Sequence, residues 1–429
     1  MDALTVTELG SLPSDWRVQR FDSLFAVQQG KQVSKKNRVG ENQRPFLRTK
    51  NVFWGHLDLA GLDEMHFTDA EEKRLALQPG DLLVCEGGDI GRTAIWKGEL
   101  ARCYYQNHLH RARLRDDAAD SLFALYWLWY AFEIGSVYFG RGNVTTIPNL
   151  SQSKLCELPL PVPPLHEQQK IAGVLGVVQQ AIEQQERLLQ LTAELKKTLL
   201  HQLFTQGLRG ELQKQTEIGP VPESWEVAPL GDYLTETQYG LSAKGAGSGL
   251  YALLRMTNQQ QGRISDDNLQ YVDLAQAQFE KFRVERKDIL FNRTNSLDLV
   301  GRTAIYDLEG DFVFASYLIR LRTVATRLRP YFLNHYFNWD ETQARLKSIA
   351  TRAVSQSNIS ATRLRGFSVP IPQPEEQDEI VDRVDCLDRK LEYHDRKKRL
   401  LEDLFRTLLH QLMMAQIRVN SLNFSILSE

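Results

Sequence analysis

A search for residues that could make or break bonds finds no catalytic set. Gln28-Gln29-Gly30-Lys31 places a lysine after a glycine. However, Phe25 stands where a phosphate-binding loop needs its first glycine, and Gln32 where it needs a hydroxyl. Gly245-Ala246-Gly247-Ser248-Gly249 is followed by no lysine and reads as a flexible loop. The Asn/Asp-Pro-Pro-Tyr/Phe tetrapeptide with which amino-methyltransferases hold a flipped base does not occur. The 9 histidines lack HExxH or HxxxH spacing, so no metal site is expected. Cys85, Cys103, Cys156 and Cys386 never form a CxxC pair, a pattern suited to a reducing cytoplasm. Asp63, Glu64, Asp69, Glu71 and Glu72 resemble a nuclease carboxylate cluster but have no counterpart later in the chain. They read as a charged, solvated loop. The chain is expected to catalyse nothing.

Binding chemistry is better represented. Residues 342–366 hold Arg345, Lys347, Arg352, Arg363 and Arg365, with Gln356 and Asn358, and no Asp or Glu. Residues 136–156 hold Arg141, Asn143, Thr145 and Lys154, again without acid. Cations follow phosphates, and Arg, Asn and Gln can grip base edges, so both stretches are candidate DNA-contacting loops. Two shorter runs behave alike: Arg48-Thr49-Lys50-Asn51 and Arg255-Met256-Thr257-Asn258. In these the candidates are Arg48, Lys50, Asn51, Arg255, Thr257 and Asn258. Asn292, Arg293 and Asn295 follow the apolar run Ile289-Leu290-Phe291, where the first half has Glu86-Gly87-Gly88-Asp89 instead. Arg92 and Arg302 complete the candidates. The net charge of −2 excludes a uniformly basic binder, so any basic surface must be local.

The elements that position these residues are duplicated. Pro13 and Trp16 return as Pro222 and Trp225, Gly91-Arg92-Thr93-Ala94-Ile95 as Gly301-Arg302-Thr303-Ala304-Ile305, and Leu199-Leu200-His201-Gln202-Leu203 as Leu408-Leu409-His410-Gln411-Leu412. A repeat this long marks whole domains rather than stacking units. Each copy ends in prolines and then a proline-poor amphipathic run. In the first run Ile171, Leu175, Val178 and Ile182 begin a seam that drifts through Leu188, Leu191, Leu195 and Leu199 to Leu203. The second seam is Ile380, Val384, Leu387, Leu391, His394, Lys398, Leu401, Phe405, Leu408 and Leu412. The apolar run 122–132 is too short to span a bilayer and reads as a buried helix. The expected domains are 1–163, a long helix 164–206, an open linker 207–220, a second domain 221–372, a second long helix 373–416 and a loose tail 417–429.

This duplicated order resembles the specificity subunit of Type I restriction–modification systems. The resemblance rests on Pro13, Trp16, Asn149-Leu150-Ser151, Pro161, Pro163, Glu167 and Gln168, and again on Pro222, Trp225, Asn358-Ile359-Ser360, Pro370, Pro372, Glu376 and Gln377. It implies a mixed α/β fold with two pseudo-symmetric target-recognition domains joined by two long antiparallel coiled-coil helices. It further implies a non-catalytic, cytoplasmic chain that reads a bipartite target in double-stranded DNA. The partners implied are two methyltransferase subunits, which flip and N6-methylate adenine, and restriction (motor-nuclease) subunits. S-adenosylmethionine, ATP and Mg2+ would belong to those partners and none to this chain; no membrane is involved. The shortened, acidic Glu86–Asp89 departs from its counterpart and leaves that loop's contacts open. The other reading is a duplicated coiled-coil scaffold that organises partners without reading DNA. Acid-rich or variable-charge loops at 136–156 and 342–366 would favour it.

Overall fold

The computed structural model describes residues 4–138, 149–352 and 356–419. Two compact units emerge: Met1–Glu186 with Arg396–Glu429, and Arg187–Asp395. The boundary cuts through both long helices, so each unit holds one globular domain, half of the first long helix and half of the second.

In the first unit, strands Thr93–Ile95, Leu82–Cys85, Leu109–Leu114 and Phe25–Gln29 form an antiparallel sheet in that order. Leu82–Cys85 is buried throughout, as its unbroken apolar run requires. A smaller sheet pairs Tyr104–Tyr105 in parallel with Gln43–Leu47, and that strand antiparallel with Asp63–His66. The helix Ser121–Trp129 is apolar almost all round and is buried accordingly. Asp120 caps it by accepting from the Phe123 amide. The acidic segment is not the expected loop. Asp63 sits in a strand, Asp69–Leu75 is a helix, and Glu71 and Glu72 pair with Lys31 and Arg44.

The second unit repeats this plan. Its sheet runs Leu234–Tyr239, Leu318–Thr323, Ile289–Asn292, Thr303–Ile305, Arg263–Ile264, Gln259–Gln260. Internal ion pairs recur at matching places: Arg113 grips Asp81 at 2.7 Å, and Arg322 grips Asp288 at 2.7 Å. Gly30 and Gly240 are required where the chain crosses a neighbouring strand. A Cβ there would lie 2.3 Å from the Gln106 carbonyl oxygen and 2.2 Å from that of Ala315. The expected open linker is largely a hairpin, with Gln213–Thr216 paired to Gly219–Pro222. Leu4–Thr7 and Gly10–Pro13 form its counterpart in the first unit.

The long helices are Leu165–Gln206 and Pro374–Met413. Their halves run antiparallel within each unit. In the first, Lys398 meets Glu186 at 2.8 Å; in the second, Lys196 pairs with Asp388. The second seam is as expected. In the first helix, however, Leu188, Leu191 and Leu195 are exposed, and the inward face passes through Gln185, Leu189, Thr192, Lys196, Leu199 and Leu203. That face keeps the 4–3 alternation and accepts polar residues, whereas following leucines alone rotates off it. Ile171, Leu175, Ile380 and Val384 sit within the globular cores of their own units; Leu387 is buried, and Val178, Ile182 and Leu391 are half-buried.

The Glu-Gln pair at the base of each helix locks domain to helix. Glu167 accepts from the Trp16 indole at 3.2 Å, and Glu376 from that of Trp225 at 3.1 Å. Gln168 accepts from the Asp120 amide and Gln377 from the Arg329 amide, each just ahead of the helix that follows. Glu376 also accepts from the Leu208 amide at 3.0 Å; in the first unit Arg418 takes that place, bridging Glu167 and Asp15. The end of the chain is therefore not loose through its last described residues, and Val419 is fully buried. The Arg418 guanidinium holds the Asp15 carboxyl below its usual value. The contribution of that pair is present above the ordinary carboxylate pKa and is lost as pH falls through the lowered value. Glu376→Ala would orphan two donors, each costing about 1–3 kcal/mol when buried. The expected result is about 3 kcal/mol lost in denaturant unfolding; a loss under about 1 kcal/mol would show the lock to be incidental.

Candidate nucleic-acid interface

The two units bring the same backbone positions together by the same hydrogen bonds. The Glu86 amide donates to the His108 carbonyl at 3.0 Å, and the Arg293 amide to that of Tyr317 at 3.0 Å. The Leu150 amide donates to the Glu86 carbonyl at 2.7 Å, and the Ile359 amide to that of Arg293 at 2.9 Å. The Asn-Leu/Ile-Ser loops and the strand that ends before Glu86 or Arg293 are thus tied into one junction in each unit. In the first, His110 secures it, with Nε2 2.9 Å from the Leu150 carbonyl oxygen; burial pushes its imidazole below the usual value.

In the second unit three of the sequence-selected segments converge. Thr294–Asn295 pairs with Ser357–Asn358, which pairs with Thr351–Arg352. The Asn358 amide donates to the Thr294 hydroxyl at 2.7 Å, and Asn295 Nδ2 lies 3.0 Å from Met256 Sδ. Arg293 stacks on Tyr239 at 4.7 Å, while Asn292 Oδ1 is buried without a partner among the described residues. Gln356 and Thr257 are exposed. Residues 342–366 are not a single loop. Arg345 lies on the helix Asp340–Ser348 and turns inward to Tyr336 Oη and the Ser368 carbonyl. Arg363 and Arg365 clamp backbone at Ile349 and Gly231. Arg302 and Lys347 line a separate cleft of about 760 Å³ beside the first long helix.

The short basic runs resolve into structural and surface parts. Asn51 and Asn258 are buried. Each accepts from the amide of its preceding arginine position at 3.0 Å and donates to backbone carbonyls, so each holds its turn rather than presenting an edge. Arg48 reaches Asp63 at 2.7 Å, the exposed Lys50 lies 3.6 Å from the same carboxylate, and Arg255 donates to the Asn268 carbonyl. Arg92 is held by Asp89, the Thr49 carbonyl and the Phe53 ring. Lys154 folds back onto Asn149 at 3.2 Å. Arg141, Asn143 and Thr145 lie outside the described residues, as does the side chain of Arg352.

Sequence reasoning missed the aromatic residues beside Arg293. Tyr239 and Tyr317 are 42% and 46% exposed there. The available signal was a bulky polar residue next to a scaffold glycine (Tyr239-Gly240) and one at the turn before a strand. His335, Asp385 and Asp388 lie close enough to hold an ion, but Arg263 and Lys196 already face these carboxylates. Burial pushes the Asp385 carboxyl up, yet its His335 hydrogen bond and neighbouring cations outweigh this and leave it low. Among the described residues no helix is long and apolar enough to cross a membrane.

Comparison with known proteins gives consistent matches. Residues 13–193 and 222–403 each match the family described as the Type I restriction modification DNA specificity domain. The MjaX chain of Methanocaldococcus jannaschii, named as a type I restriction enzyme specificity subunit, is 32% identical, with 97% of this chain and 96% of that one covered. The StySPI specificity subunit of Salmonella potsdam is 23% identical over 98% and 89%. Among solved structures, the S subunit of the Type-I restriction-modification system from M. genitalium superposes with a TM-score of 0.57 at 18% identity, covering 92% and 96%. A chain from a structural study of type I R-M complex assembly gives 0.55 at 15%, covering 95% and 99%. Both likenesses concern the fold.

Proposed function

Since the chain belongs to the family of type I restriction–modification specificity subunits and carries the family's DNA specificity domain twice, we propose that it reads a bipartite, asymmetric DNA target, one half-site per domain. It is the sequence-recognition subunit of such a complex and is non-catalytic. The observation that carries the asymmetric reading is the junction repeated with different chemistry. The same hydrogen bonds place Glu86 in one unit and Arg293 in the other. Duplicated scaffolds with divergent side chains suit two different half-sites. Basic, amide and hydroxyl groups supply the contacts: Lys50, Lys154, Arg141 and Asn143 in the first domain, and Thr257, Arg293, Asn295, Arg352, Gln356 and Asn358 in the second, with Arg302 and Lys347 contributing from the separate cleft. The scaffold alternative predicts no sequence preference and little salt dependence. Binding of the complex to randomised duplexes should instead select one bipartite string, with affinity falling steeply with salt. Binding without selection would overturn this reading.

The long helices are the docking surface for two modification subunits. Leu191 and Leu195 are 44% and 55% exposed, and Leu400 and Leu404, at the repeat-equivalent positions, are 61% and 45% exposed. The same apolar pair presented twice fits two copies of one partner. S-adenosylmethionine, ATP and Mg2+ are assigned to partners, restriction subunits included, and the complex works in the cytoplasm.

A further inference from the structure

Each junction gathers a third side chain. In the first unit Gln29 Nε2 lies 3.5 Å from the Glu86 carboxylate, and His108 Nδ1 lies 3.6 Å from it. In the second unit the matching positions are Tyr239, Arg293 and Tyr317, with Arg293 stacked on Tyr239. The match is fixed by backbone as well as by order. The Gly30 amide donates to Leu109 at 3.2 Å and the Gly240 amide to Leu318 at 3.1 Å, one residue beyond each trio member. One trio is an acceptor flanked by an amide and an imidazole; the other is a fork of donors flanked by two phenol rings. His108, Tyr239 and Tyr317 are exposed at 62%, 42% and 46%, so both trios open to the surface. Arg293 Nε is buried without a partner among the described residues, and its NH1 makes only a long 3.3 Å bond to the Ser316 carbonyl. Its side chain is held in place while its donor capacity is incompletely used.

We propose that these trios are specificity-determining positions. Glu86 selects a base presenting an exocyclic amine in the major groove (cytosine N4 or adenine N6), and Arg293 selects guanine through O6 and N7. A carboxylate accepts from an amine and repels the acceptor-only edges of guanine and the O4 of thymine; a guanidinium does the reverse. Gln29, His108, Tyr239 and Tyr317 hold or flank the reading group. The inference rests on the bipartite reading and refines it.

The test is target selection from randomised duplexes by the full chain with its modification partner, for wild type, Glu86→Gln, His108→Ala and Arg293→Ala. Glu86→Gln should relax one position of the first half-site from an amine-bearing base toward all four, by about tenfold in discrimination, and leave the second half-site unchanged. Arg293→Ala should relax a guanine position in the second half-site alone. His108→Ala, at an exposed site where misfolding is not expected, should weaken the same first-half position that Glu86→Gln relaxes. An intact bipartite string with unaltered preferences in all three variants would overturn this assignment while sparing the bipartite reading. Absence of any bipartite string in wild type would overturn the reading beneath it.

Discussion

Replacing Leu191 and Leu195 together by aspartate is expected to reduce the modification partner from two copies per chain to one. Replacing Leu400 and Leu404 should remove the other copy, and changing all four should leave none. Both leucines of each pair are about half exposed, so a partner can still bury roughly half of each side chain. That contributes about 2 kcal/mol per pair, and the aspartates add the cost of desolvating carboxylates in an apolar contact. The combined effect should exceed about 100-fold in affinity. The inward face of the first long helix runs through Gln185, Leu189, Thr192 and Lys196 instead, so folding should be largely unaffected. Native mass measurement of co-purified complexes reads the stoichiometry. Two copies retained on all variants would place the partner elsewhere.

The second large effect concerns length. Inserting four residues after Thr192 adds about one turn, roughly 6 Å. If the helices set the distance between half-sites, the unspecified gap in the target should grow by about one or two base pairs, with both half-site strings unchanged. Four residues rotate the downstream helix by only about 40°, keeping Lys196, Leu199 and Leu203 near the inward face. Two residues rotate it by about 200° and would turn that face to solvent, so that variant should fail to assemble. Selection from duplexes with variable gaps measures the shift. An unchanged gap preference would remove the spacer role.

Much of the scaffold was legible because it repeats. Trp16 and Trp225, the Glu-Gln pairs and the GRTAI blocks return in one order, and each proves to be a packing or hydrogen-bonding device. The seam of the first helix is not legible from its leucines, because Leu188, Leu191 and Leu195 face outward while Gln185, Thr192 and Lys196 face inward. Antiparallel neighbours instead supplied Asp388 and Lys398 to satisfy Lys196 and Glu186, which no single-sequence pattern reveals. Site residues were harder for a related reason. Asn51 and Asn258 look like base readers, but their amides close turns through backbone groups; Arg345 looks like a phosphate contact, but a tyrosine and a carbonyl take its donors. Residue type announces hydrogen-bonding capacity, whereas long-range packing decides whether any is left over. Glu86 showed the converse. The acidic segment around it leaves its contacts open in the sequence, yet its backbone occupies the same node as Arg293.

On this reading one chain addresses two different half-sites. Sequencing the modified adenines in the genome of a host carrying this chain and its modification partner tests it most directly. The expected result is a single motif made of two dissimilar specified strings separated by a fixed run of unspecified bases, with an adenine modified in each string. A single contiguous motif, two identical strings, or methylation that does not depend on this chain would contradict it.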